Sequence, residues 1–236
     1  MNIYNKRTTI KELIGLYSNL RFEFSDLLHK LQENNGWDEN NDTRIVSLKL
    51  MIEPIQSTII LLHLIDEHFD NISLWDLQNF QSQHQKNDFL KDRLYFITNE
   101  LRESLFINVF IRFENFIKIS ARSVGINGDK INQLSKKLID QLSINQNNKE
   151  LINLFTYLRN TMHTEGFHTK PDVTISYNGT KYHFKQNHPV TFYDVEFLCK
   201  MLTEIKNLIG EIIESDDIKS QSKIGHSYEN LTFEYE

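Results

Sequence analysis

Between Phe89 and Gly125 the chain reads FLKDRLYFITNELRESLFINVFIRFENFIKISARSVG. Leu94, Ile97, Leu101, Leu105, Val109, Phe110, Phe113, Ile117 and Ile119 recur at steps of three and four, the spacing of one face of an α-helix. Neither Gly nor Pro interrupts the run before Gly125, so a helix is expected from about Phe89 to Val124. Glu114 lies one turn from both Phe110 and Lys118, at the margin of the apolar face. The whole chain is similarly poor in turn-formers, with eight Gly and three Pro among 236 residues. A sandwich or barrel of many short strands would need more of them. Long helices with few interruptions are expected instead.

The sequence on either side agrees. Thr8 to Gln32 carries Ile10, Leu13, Ile14, Tyr17, Leu20, Phe24, Leu27, Leu28 and Leu31 at helical spacing, ended by Glu33-Asn34-Asn35-Gly36. Thr43 can cap a second helix to about Phe69, its face formed by Ile45, Leu48, Ile52, Ile55, Ile59, Ile60, His63 and Leu64. Pro54 should kink or split it, because proline lacks a donor and crowds the preceding turn. Asp70 to Asn87 reads as a polar loop anchored by Leu74 and Trp75. After Gly125, helices are expected from Asp129 to about Leu142 and from about Lys149 to Met162. The second has an apolar stripe of Leu151, Leu154, Phe155, Leu158 and Met162.

Then the period changes from helical to two. Val173, Ile175 and Tyr177 alternate with polar residues, as do Tyr182 and Phe184 after Asn178-Gly179, a strong hairpin signal. Thr191 can cap a last helix to about Ser215, and a polar tail runs from residue 216 to 236, where Leu231 to Tyr235 could dock. The expectation is an all-α helical bundle, a single domain over 1–215, with a β-hairpin at about 172–185 inserted before the last long helix.

Composition narrows the function classes. The net charge of −6 argues against non-specific coating of nucleic acid. Residues 100–170 nevertheless hold ten Lys/Arg against seven acids, a local +3 that suits a phosphate site. One cysteine, Cys199, excludes a disulfide framework and a cysteine-built zinc site. Asn-x-Ser/Thr triplets at Asn41, Asn71, Asn178 and Asn230 therefore carry no weight as glycosylation sites. The first residues lack the pattern of a signal peptide, and no uncharged run of about 18 apolar residues predicts a membrane span. A soluble, cytoplasmic protein with no membrane attachment is expected.

Leu158 to Gly166, LRNTMHTEG, is the one stretch that speaks of chemistry. Arg159 and His163 stand one helical turn apart on the flank of the apolar stripe, at a helix C-terminus. A guanidinium offers phosphate a fixed fork of donors. An imidazole exchanges a proton near neutral pH. Together they suffice in kind for metal-free RNA cleavage. Alternatively, Arg159 could pair with Glu165 or Glu114, and His163 could simply favour the negative end of the helix dipole. Four histidines, His163, His168, His183 and His188, fall within 26 residues. Their i, i+5 spacing diverges around a helix, so no metal site is expected, and His183 should face solvent. His63 and His68 read as core-edge residues. The phenylalanines follow helical spacing and are expected in the core, whereas Tyr157, on the outer side of its helix, could stack on a base.

The passage Arg159-Asn160-Thr161-Met162-His163 resembles the signature of the HEPN superfamily, helical bundles that bind or cut nucleic acid in bacterial toxin–antitoxin and defence systems. The long aromatic helix around Phe113-Glu114-Asn115-Phe116 is similar too, and the likeness spans residues 89–215. It implies a metal-independent endoribonuclease without cofactor, in which Arg159, His163 and Asn160 are catalytic and Tyr157, Glu114 and His168 contact RNA. It also implies a homodimer and a cognate antitoxin or other protein partner. The spacer of three residues is shorter than the family's usual one. The alternative is therefore a non-catalytic HEPN-like module that binds RNA or protein.

Overall fold

A computed structural model describes residues 8–69, 80–128 and 130–225. Leu74, Trp75 and the Leu231–Tyr235 segment, each expected to anchor or dock, lie outside the described residues.

Helix α1 (Ile10–Asn35) begins at a capping box in which Thr9 and Glu12 satisfy each other's backbone donors, and ends at Gly36 in the left-handed region. Its buried residues, Leu13, Tyr17, Leu20, Phe24 and Leu31, keep the expected spacing. Helix α2 (Thr43–His68) packs against it. The cap of α2 is Asp42, whose carboxylate accepts from the Arg44 amide, rather than Thr43. Nor does Pro54 divide the helix, which is assigned as one continuous element. The expected apolar face holds at Ile45, Leu48 and Ile55, with Met51 buried where Ile52 was expected, but Ile60 and Leu64, like their neighbour Leu61, are about half exposed. His63 and His68 are exposed rather than core-edge. By length and composition α2 is the one described helix apolar enough to cross a membrane, yet its first half is built into the core.

Helix α3 (Gln83–Ser123) starts six residues earlier than its apolar pattern suggests, because Ser82 caps it through the Gln85 amide. No residue from Gln83 to Ser104 is buried. The core begins at Leu105 and continues through Phe106, Val109, Phe110, Phe113, Phe116 and Ile117. Short α4 (Ile131–Gln141) and α5 (Asn148–Met162) pack on this second half. Phe155 of α5 carries much of that packing. Its ring centroid lies 4.5 Å from Phe106, 5.0 Å from Phe110 and 6.0 Å from Phe113. Tilted and edge-on pairs of this kind fix one orientation as well as burying area.

The hairpin forms at the expected place. Strands β2 (Val173–Tyr177) and β3 (Thr180–Phe184) pair antiparallel with Tyr177 opposite Thr180, leaving a two-residue loop. Asn178 and Gly179 both have positive φ, 47° and 76°, as a type I′ turn requires. A second ribbon, unseen in the sequence, pairs β1 (Phe167–His168) with β4 (His188–Pro189). Phe184 staples the insert to the bundle by packing on Tyr157, His168 and Phe192. Helix α6 (Val195–Glu214) follows, capped by Asp194 rather than Thr191, and it closes on α1, α3 and α5. The architecture is an all-α bundle with a small β insertion.

The polar tail expected from residue 216 begins, up to Gly225, as a segment docked on the bundle. It opens with α7 (Asp216–Lys219) and buries Ile218 and Ile224. Arg44, fully buried, donates to the carbonyls of Ile218 at 2.9 Å and Gln221 at 3.0 Å. Its guanidinium also pairs with Asp42 at 2.6 Å and lies 3.8 Å over the Trp37 ring.

Candidate functional site

The site is built at the C-terminal end of α5, where the helix meets the middle of α3. Phe155, locked among the α3 phenylalanines, sets the rotation of α5. Arg159, one turn later, is thereby brought over Phe110, with its guanidinium carbon 5.5 Å from the ring centroid. Arg159 Nη1 donates to Asn160 Oδ1 at 3.3 Å, while Nε is buried without a hydrogen-bond partner among the described residues. Neither Glu114 nor Glu165 pairs with it. Arg159 has no carboxylate partner among the described residues. A half-buried guanidinium without a counter-ion is disfavoured by desolvation, and an anion supplied from outside would complete it.

His163 is the C-cap of α5 and is exposed. The helix stops there because Glu165 and Gly166 take positive φ, 54° and 85°, and the Gly166 amide folds back to the Thr161 carbonyl at 2.8 Å. Gly166 is required for a second reason: a Cβ there would stand 2.9 Å from the Tyr193 hydroxyl oxygen. Tyr193 in turn lies under Arg102, whose guanidinium carbon is 5.6 Å from its ring centroid. Arg102 Nη2 also donates to Asn99 Oδ1 and lies 3.8 Å from Glu103, while its Nε is buried without a hydrogen-bond partner among the described residues. Burial raises Glu103 above the usual carboxylate range, with Arg102 partly offsetting it.

Arg159, Asn160 and His163 therefore share one helix end. Two other expected RNA contacts do not join them. Tyr157 is half-buried, its ring centroid 5.6 Å from His168 and 5.3 Å from Phe184, so it lines the underside of the insert instead of offering a free face. His168 is 2% exposed, with Nε2 3.0 Å from the Pro171 carbonyl, a contact that places its proton on that nitrogen. Glu114 is half-buried on α3, one turn beyond Phe110. The four clustered histidines go separate ways, with His183 bonded to Thr174 and His188 to the Gln186 carbonyl. Among the described residues no three His, Cys, Asp or Glu side chains gather as a metal site.

Compared with known proteins, the chain matches no family model, no curated protein and no solved structure. The site rests on its own geometry. Arg102, Phe110 and Tyr193 were not legible as parts of it. Arg102 was visible only as one of the local excess of cations, and Tyr193 lies 27 positions from Gly166 in the sequence. A groove of about 350 Å³, lined by Phe69, Lys86, Leu90 and Leu94 among others, lies near the opposite end of α3, away from this chemistry.

Proposed function

We propose that this chain is a HEPN-like, metal-independent endoribonuclease of a bacterial toxin–antitoxin or defence system, acting in the cytoplasm as a homodimer. The observation that carries the reading is Arg159. A cation with no carboxylate partner among the described residues stands one turn from an exposed histidine. The imidazole of His163 takes the proton of a ribose 2′-hydroxyl, whose oxygen attacks the adjacent phosphorus. The bond to the 5′-oxygen breaks, and that oxygen collects a proton as it leaves. Arg159 balances the charge that grows on the phosphate oxygens, and Asn160 holds the guanidinium fork through its Oδ1. In a dimer, two such helix ends can face one cleft and divide the roles of acid and base between two histidines.

Incubation of the purified protein with total tRNA and a structured RNA in EDTA tests this. Cleavage by the parent, lost in Arg159→Ala and in His163→Ala, supports it; cleavage surviving both variants rejects the assignment. The short spacer favours one other reading. Arg159 turns inward over Phe110 while His163 faces solvent, so the pair could hold RNA or a protein partner without cutting it. Binding that depends on Arg159, with no cleavage by the parent, would select that reading.

A further inference from the structure

The strand that follows the motif carries an aromatic ring with an open face. Phe167 is 45% exposed, while its neighbours Gly166 and His168 are buried. Because successive strand residues point to opposite sides, the inward direction is taken by His168 and the Phe167 ring is turned outward. Its backbone is held from both sides. Phe167 pairs with Pro189 across the ribbon, and the Val190 amide donates to the Gly166 carbonyl at 2.9 Å. The hydroxyl of Thr164 donates to the Phe167 carbonyl and lies 3.2 Å from the Asn160 carbonyl. One side chain thus ties the ring's strand to a residue of the site.

We propose that Phe167 is a base-stacking platform, and that the molecule recognised is single-stranded RNA, with one phosphate at Arg159 and a neighbouring base on the ring. The proposal rests on the nuclease reading and names its substrate class. Only an unpaired base offers a free π-face to a side chain, and any base can use it, so the ring selects strandedness rather than sequence. The surroundings suit a polyanion better than an apolar protein surface. Lys170, Lys185 and His188 are exposed around the ribbon, against the single carboxylates of Glu165 and Asp172. The half-exposed apolar side chains of α2, Ile60, Leu61 and Leu64, belong to another element.

The test uses a twelve-nucleotide 2′-O-methyl RNA carrying 2-aminopurine, which cannot supply the attacking hydroxyl but can bind and report stacking by quenching. The parent and Phe167→Trp are expected to quench it. Phe167→Ala should lose the quenching and weaken binding by roughly ten- to a hundredfold, with the salt dependence unchanged and the melting temperature preserved. Arg159→Ala should instead lower the salt slope by about one phosphate contact. Equal quenching and affinity in Phe167→Ala and the parent would overturn the platform while leaving the nuclease reading intact. A parent that neither binds this RNA nor cuts tRNA overturns both. Phe167→Ala that dissociates the dimer without altering RNA affinity assigns the ring to a protein contact and rejects the proposal.

Discussion

Replacing Arg44 with alanine should release the C-terminal segment and cost much of the protein's stability. Arg44 is fully buried, and its partner Asp42 is 1% exposed. Removing the guanidinium leaves the Asp42 carboxylate in the interior with, among the described residues, two backbone amides near it, that of Arg44 at 3.0 Å and that of Ile224 at 3.4 Å. It also removes the guanidinium donor from the Ile218 and Gln221 carbonyls, of which Ile218 keeps the Gln221 amide at 3.4 Å, and removes the cation from the Trp37 ring. Breaking a buried ion pair from one side typically costs about 3–5 kcal/mol. At about 2–4 °C per kcal/mol for a chain of this size, the melting temperature should fall by about 6–20 °C. Urea unfolding measures the first quantity. Hydrogen exchange of residues 216–225 locates it, because those amides should exchange much faster than the core of α3. Asp42→Asn combined with Arg44→Met should recover part of the loss, since asparagine still caps α2 and no lone charge remains. A loss below about 1 kcal/mol with unchanged exchange in 216–225 would refute this view of the clasp.

Other outcomes follow from the same geometry. Gly166→Ala should cost about 1–2 kcal/mol from the left-handed backbone alone. It should cost more from the Tyr193 hydroxyl, an excess that a Tyr193→Phe background removes in a double-mutant cycle by urea unfolding. The Cys199 thiol is pushed up to about 12 by burial, with Glu23, Asp194 and Glu196 adding to the effect. At pH 8 it should therefore react with a disulfide reagent roughly a thousandfold more slowly than in the urea-unfolded chain, and equal rates would contradict that. Glu103, raised by burial, binds its proton more tightly when folded, so its contribution to stability falls as pH rises from the unfolded value through the folded one. The urea midpoint of Glu103→Gln, compared with the parent, should improve across that window and then level off. A constant difference from pH 4 to 7 would show that the burial is not felt.

The elements whose partners lie close in sequence were the legible ones. Helical spacing alone located the long helices, and Asn178-Gly179 located the hairpin to the residue. Contacts between distant residues were hidden. The tail reads as polar because its anchor, Arg44, lies 174 positions before Ile218. Tyr157 reads as outward because the β insert that covers it comes later in the chain. His168 was singled out and its neighbour Phe167 was not, because deciding which one faces inward needs the two-residue strand pairing with His188-Pro189. Pro54 reads as a break, yet packing against α1 and α3 keeps α2 whole. At the site, the residue types and their order were visible, whereas the fact that neither Glu114 nor Glu165 pairs with Arg159 could be seen only once both had been placed.

The most direct test of the central reading is the end chemistry of the cleaved RNA. If His163 activates the 2′-hydroxyl against a phosphate held by Arg159, digestion in EDTA should leave 2′,3′-cyclic phosphate on one fragment and a 5′-hydroxyl on the other, and Arg159→Ala should yield neither. Fragments with 3′-hydroxyl and 5′-phosphate ends, or intact RNA under all conditions, would contradict it.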